Sequence, residues 1–560
     1  MPLRLVGGRN ATTIDQNICP VSSGTDVCGL GKKGRIVKTN KNLSRRQFHR
    51  KVGEGMLWAG LGTSLAAELG LSTSFAEQAD GNRKLNFGGL EPLVAFMQDT
   101  PLDKLQPLVV GKLNKREVTL KQLMQAAALA NARSFGGADY IGMHTLMAMK
   151  PAYLMARQLP SDRKALIVLK ILYRNTAQIH ERGTKHVLHD VEPVELPDGK
   201  LGGDALREAV RRKDQGKAEG ILAAIAERSP QDAFNDLIHV VADDTGVHRV
   251  VFAHRSWEVL DLAGMENAEA MLRQSLRFCL NRENPAAANR PIPRTLLPKL
   301  FDQYKLLEKK PGTRRTDDAW VEKFSQTIFN GKAEEAGEAV AEALADGIAP
   351  REIGEAISLA TNQLVLRDAG RPANQTRAGK PEGSVHGDSI GVHASDSAHA
   401  WRGIARVSNH RNSMACLILA GYQAALDRSR RGGDFLEWKP RPYDDHLAKI
   451  TAKDGESLLR QLEGAIREQD QAGACALVHR FGAGGGKPRQ VMDVLLRYAT
   501  SEDGALHAEK YFLTTTSDFA TTRPAFRWRH LVALARVTAS EAGRTAAGYE
   551  EACQLLKVKA

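Results

Sequence analysis

Four histidines stand in one recurring setting: an acidic residue, a short gap, a Gly or Ala, then His at the head of an apolar helix. The segments are Asp139-Tyr140-Ile141-Gly142-Met143-His144, Asp244-Thr245-Gly246-Val247-His248, Asp388-Ser389-Ile390-Gly391-Val392-His393 and Asp503-Gly504-Ala505-Leu506-His507. Imidazole is the commonest metal ligand, and three or four converging rings suit iron, copper, zinc or manganese. His144, His248, His393 and His507 are therefore the candidate metal ligands. A His shortly after a flexible turn can point off its helix into a shared space. The alternative is a buried His repeated four times, each bonding a carbonyl of its own turn. The neighbouring Asp139, Asp244, Asp388 and Asp503 have two roles open to them. They can cap the following helix, or accept the outer ring N–H of a ligating imidazole.

Two of the segments carry a second His six residues on, His254 and His399, where the other two have Lys150 and Leu513. Six residues is about 1.7 turns, which takes the second ring off the face of the first. His254, His399 and Asp388 are the candidate proton-transfer groups. The third segment is the richest, with His386, His393, His399 and His410 beside Asp388, Asp396 and Trp401. A separate cluster, His180, His186 and His189 with Asp190 and Glu192, fits no zinc spacing and reads as a solvated loop. No phosphate-cradling glycine loop, nucleophile elbow or HExxH helix is present, so no NAD and no nucleotide are expected. The six cysteines form no CxxC or close pair; Cys279, Cys416, Cys475 and Cys553 read as buried thiols.

The elements that must position these rings are helices. Ala- and Leu-rich stretches with many Glu, Lys, Gln and Arg favour helix throughout, and no alternating strand run is evident, so the expected class is all-α. Residues 77–560 read as about four degenerate helical units, stacked or closed around a central cavity, at roughly 87–182, 207–283, 316–430 and 455–545. Within a unit the pattern runs helix, turn, helix, His turn, His helix, closing helix. The first turns carry Ser229-Pro230, Ala349-Pro350 and Lys487-Pro488, where Pro suits the opening turn of a helix. Residues 182–206, 284–315 and 367–385 read as insertions, and the last is expected to be a mobile loop over a site.

Net charge is +13, but residues 1–76 hold 11 basic against 4 acidic residues, so about half of the excess lies there. No basic stripe with interleaved aromatics remains, and nucleic acid is not an expected partner. Ser44-Arg45-Arg46-Gln47-Phe48-His49-Arg50 resembles a twin-arginine export motif, followed by a modestly apolar stretch and Ser74-Phe75-Ala76 as a cleavage site. Residues 1–76 are thus read as a signal region, with a start codon placed too far upstream accounting for the stretch before the motif. The expectation is export to a periplasmic or extracellular location through the twin-arginine machinery, with no stable membrane span after processing. Such substrates cross already folded, often because they carry a cofactor.

The phrases Asp243-Asp244-Thr245-Gly246-Val247-His248 with Trp257-Glu258-Val259-Leu260, and Ser501-Glu502-Asp503-Gly504-Ala505-Leu506-His507, resemble the helical His-repeat region accompanying Rieske iron–sulfur domains in some actinobacterial proteins. More distantly, they resemble the questin-oxidase-like oxygenases. The resemblance spans roughly residues 87–540 and implies oxidative chemistry. The paired Cys-x-His and Cys-x-x-His motifs are missing, so no Rieske cluster is carried over. The expectation is an exported, metal-dependent oxidoreductase or oxygenase acting on a small organic molecule, with an electron-transfer partner. The alternative is a non-enzymatic helical binding or scaffold protein whose histidines pack turns.

Overall fold

In a computed structural model, the described residues are 85–183, 188–196, 201–283, 293–430 and 434–560. The twin-arginine motif, Cys19, Cys28 and His186 lie outside them. The described residues are helical, with isolated bridges and no β-strand among them. None of their helices is long and apolar enough to cross a membrane.

Twenty of the described helices can be grouped along the chain into four sets of five, with the short helix Leu260–Ala263 intervening in the second. They are 91–99, 102–114, 120–135, 140–156 and 164–182; then 202–211, 215–228, 230–241, 247–258 and 268–282. The later sets are 318–330, 333–345, 350–367, 390–407 and 410–429; then 455–467, 471–483, 488–501, 507–521 and 528–541. In each set the first helix packs on the third, and both the second and the fourth pack on the fifth. The fourth helix always carries the signature histidine. These four are labelled α1 (Tyr140–Ala156), α2 (Val247–Glu258), α3 (Ile390–Val407) and α4 (His507–Thr521).

The opening helix of each set was not separated by the sequence pattern. In the second set it is Gly202–Arg211, so the boundary expected near 207 falls inside a helix. Pro230, Pro350 and Pro488 do open helices, and Ser229 caps one through Asp232 N. The stretch 284–315 contains a further helix, Leu296–Tyr304, lying against Ala333–Ala345. Cys279, Cys416, Cys475 and Cys553 are free and buried.

α1 packs on α2, α2 on α3, α3 on α4, and α4 back on α1. The last contact joins chain segments more than 350 residues apart, and ion pairs to the adjacent helix Lys164–Arg182 flank it. Lys170 Nζ, from the first set, lies 2.6 Å from Glu509 Oε1 on α4 and donates to the carbonyls of Ala499 and Glu502. Arg174 pairs with Asp503 at 2.6 Å.

Candidate four-histidine centre

Each signature histidine sits within the first five residues of its helix, and the cyclic packing brings these four helix starts together. Going round, ring centroids are 4.8 Å apart for His144–His248, 5.6 Å for His248–His393, 5.5 Å for His393–His507 and 5.1 Å for His507–His144. His144 Nε2 lies 3.1 Å from His248 Nε2, and His393 Nε2 lies 3.4 Å from His507 Nε2. The outer nitrogens of two rings are anchored on local carbonyls: His144 Nδ1 donates to Tyr140 O at 2.8 Å, and His507 Nδ1 to Ala505 O at 3.1 Å. With the proton on Nδ1, the Nε2 lone pair of each faces its neighbour.

Two before three of the histidines stands a glycine, and at two of them the packing leaves no room for a side chain. A Cβ on Gly142 would meet the Phe135 ring at 2.5 Å, and one on Gly391 would meet the Leu364 backbone at 2.7 Å. Gly387 presses on His507, where a Cβ would come to 2.1 Å from the His507 Cβ. Ahead of His507 the place belongs to Ala505, which with Leu506 adopts left-handed angles (φ 46° and 63°) that side-chain-bearing residues rarely take. The turn that aims His507 is therefore strained.

All four rings are neutral at ordinary pH. Burial is the largest cause for each, reinforced by the Lys510 ammonium and, for His144, His248 and His507, by neighbouring rings; at His393 the Asp388 carboxylate works partly against it. It takes His393 down to about 4 and His248 to about 2, with His144 and His507 well below the usual value. Lys510, on α4 three residues after His507, is itself lowered to about 8 by burial, and Asp396 on α3 is pushed up by burial. Tyr140, one helical turn before His144, lies tilted against that ring at 4.3 Å and edge-on to His248 at 5.4 Å while staying half exposed. It forms a cover over the rings. Neither Tyr140 nor Lys510 was singled out from sequence; their spacings of four and three from a signature His were the available signal.

The four carboxylates do not serve the rings. Asp139 caps α1 through Gly142 N and also receives Gln178 Nε2. Asp244 bonds Thr245 N, and Asp503 takes Arg174. Asp388, expected to transfer protons, is instead clamped by Arg371 at 2.8 Å and Lys380 at 2.7 Å. Both cations come from the 367–385 insertion, so Asp388 ties that segment down. Arg544 donates to Ala378 O, Gln471 donates to Gly383 O and Val385 N donates to Ser540 Oγ, so the stretch is fastened at several points. Beneath it a small pocket is lined by Lys380, His386, Asp388, His507, Glu541 and Arg544. Burial raises Glu541 to about 8 there, although Gly387 N donates to it at 2.8 Å.

His254 and His399 form a second pair, with ring centroids 5.7 Å apart. His399 Nδ1 bonds Asp518 at 3.2 Å, and Arg402 reaches the same oxygen at 2.9 Å. His254 is packed against Gly403, where any Cβ would stand 2.1 Å from its Nε2. The remaining histidines go elsewhere. His180 Nε2 bonds Gln98 O, His410 lies near Leu306 O, and His386 stands 3.9 Å from Glu541.

Two neighbouring imidazoles on one ion, with metal–nitrogen bonds of about 2.0–2.1 Å, put adjacent ring centres about 4.5 Å (square) to 5.2 Å (tetrahedral) apart. The observed quadrilateral of 4.8–5.6 Å overlaps the upper part of that range. As the side chains stand, no group of three or more His, Cys, Asp or Glu among the described residues is drawn tightly enough to hold an ion. The residue types suit a metal, but as they stand the four rings do not make a closed ligand set. The chain matches no family model, no curated protein and no solved structure.

Proposed function

We propose that His144, His248, His393 and His507 hold one metal ion, and that this centre serves oxidative chemistry on a small organic molecule. The observation that carries the reading is the convergence of four neutral rings from four distant segments, two with Nδ1 anchored on a carbonyl and Nε2 facing inward. An ion there would supply Lewis-acid or redox power. Four neutral ligands with no carboxylate among them leave its charge uncompensated, which favours the lower oxidation state and hence an oxidising site. The protein's own part is to fix the rings, keep them unprotonated and screen them with Tyr140. His254 and His399 are the proton-transfer candidates that remain once Asp388 is assigned to the clamp.

The resemblance to His-repeat and questin-oxidase-like proteins supports an oxygenase-type activity with an electron partner. It also supports reading the four five-helix sets as degenerate copies of one unit. The segment Ser44–Arg50 supports export of the folded, loaded protein by the twin-arginine route.

One observation favours a second reading. Nε2···Nε2 separations of 3.1 and 3.4 Å also suit N–H···N hydrogen bonds between neutral rings, which would make the histidines packing groups of a scaffold. Elemental analysis of the full chain, expressed with iron, copper, zinc and manganese available, separates the two. The metal reading expects about one ion per chain, lost in at least three of His144→Ala, His248→Ala, His393→Ala and His507→Ala. No metal above background, with stability losses of about 1–3 kcal/mol each, would establish packing instead.

A further inference from the structure

Next to the His399–Asp518–Arg402 cluster lies a cavity of about 690 Å³, a size that suits a small-molecule ligand. His399 follows His393 by six residues on α3, so it stands about 9 Å further along the helix axis. Three arginines line the cavity: Arg351, Arg402 and Arg406. Arg402 is neutralised by Asp518 at 2.9 Å. That carboxylate is held ionised: burial works against it, but Arg402 and the His399 hydrogen bond outweigh burial and keep it well below its usual range. Arg351 and Arg406 are exposed and form no hydrogen bond or ion pair among the described residues. Two cationic forks thus face this space without a counter-charge. The first turn of the helix Pro350–Arg367 also lines it, and the positive end of that helix adds to the same sign. The remaining walls are largely apolar, from Ala349, Pro350, Ala405, Leu417 and Ala520.

We infer that this cavity binds a small organic carboxylate, with the anion on Arg351 and Arg406 and an apolar body against Leu417 and the alanines. Guanidinium forks match a carboxylate bidentately, and an apolar wall gives a free inorganic anion nothing to bury. The His399–Asp518 pair forms the polar floor. The inference goes beyond the metal reading and does not need it, because no lining residue belongs to the four-histidine ring.

The test is calorimetric titration of the full chain, chelator-treated so that it is metal-free, with octanoate, 2-naphthoate, 1-octanol and inorganic phosphate as probes. At least one carboxylate is expected to bind, with octanol and phosphate at least tenfold weaker. Arg351→Ala with Arg406→Ala, two exposed positions, should weaken the carboxylate at least tenfold while leaving the melting temperature unchanged. Leu417→Trp should block binding by filling the space, and Arg351→Lys with Arg406→Lys should restore part of it. The inference is overturned if neither carboxylate binds, if octanol or phosphate binds as well as the carboxylates, or if the double alanine variant binds like wild type. Because metal is absent throughout, these outcomes are independent of whether the four histidines load an ion.

Discussion

His248 Nε2 stands 3.1 Å from His144 Nε2 across 104 residues of chain, and burial keeps both rings uncharged. Two lone-pair-bearing nitrogens at this distance need either a shared proton or a shared ion. With an ion, removing either partner removes the stabilisation that binding gives the folded state. Chelation should then lower the melting temperature of the wild type by several degrees and leave that of His144→Ala and His248→Ala unmoved. An equal response in all three proteins would exclude an ion held by this pair.

Acid should destabilise the metal-free chain early. Folded-state values for the four rings lie below the ordinary 6.5, at about 4 for His393, so the unfolded chain takes up protons first as pH falls. The stability these rings contribute is complete above about pH 6.5 and is lost progressively towards pH 4. Urea titrations at pH 7.5 and 5.0 should show wild type losing more than His393→Ala over that interval. Parallel losses would contradict the assignment.

Glu541 behaves in the opposite sense. Its folded-state value is raised from 4.5 to about 8 by burial, so its contribution is complete below about 4.5 and falls away as pH rises through 8. Glu541→Gln keeps an acceptor for Gly387 N and has nothing to ionise. At pH 9 it should be more stable than wild type by on the order of a few kcal/mol, with little difference at pH 4. Guanidinium denaturation at the two pH values measures this.

Ala505 carries a left-handed φ of 46° immediately before the αL residue Leu506. Ala505→Gly should stabilise the chain by about 1 kcal/mol by relieving that conformation, offset in part by the freer unfolded chain. A melting temperature below wild type would show that the Ala methyl, not the backbone, dominates at this turn.

Gly391 lets the start of α3 touch the backbone of the helix Pro350–Arg367, where a Cβ would stand only 2.7 Å from Leu364 and Val365 backbone atoms. Gly391→Ala must push that start away and carry His393 with it. A loss of about 1–3 kcal/mol is expected, with metal retention falling although no ligand is changed. Gly246, where a Cβ meets nothing nearer than 4.0 Å, is the control: Gly246→Ala should retain metal.

Much of this was legible in the chain itself. Helix-favouring composition announced the class, prolines at first turns marked Pro230, Pro350 and Pro488, and the Gly-x-His phrase picked out His144, His248 and His393. Those are local properties, set by backbone conformation within a few residues. The opening helix Gly202–Arg211 carries no clear sequence signal because it lies in a Gly- and charge-rich stretch that reads as insertion. Asp388 shows the opposite failure: its place in the phrase matched Asp139, but its partners Arg371 and Lys380 come from a segment found only in that unit.

What the sequence determined was which residues stand at the starts of four similar helices, because capping, glycine and apolar periodicity act over one or two turns. That these starts meet was decided by tertiary packing, in which α4 packs back on α1 while Glu509 of α4 pairs with Lys170 of the neighbouring helix Lys164–Arg182. The same packing chose Tyr140 as cover, placed Lys510 beside the rings, and opened the arginine-lined cavity next to His399. Such relationships depend on which buried faces and charges find each other across hundreds of residues, and no short window of sequence contains both partners.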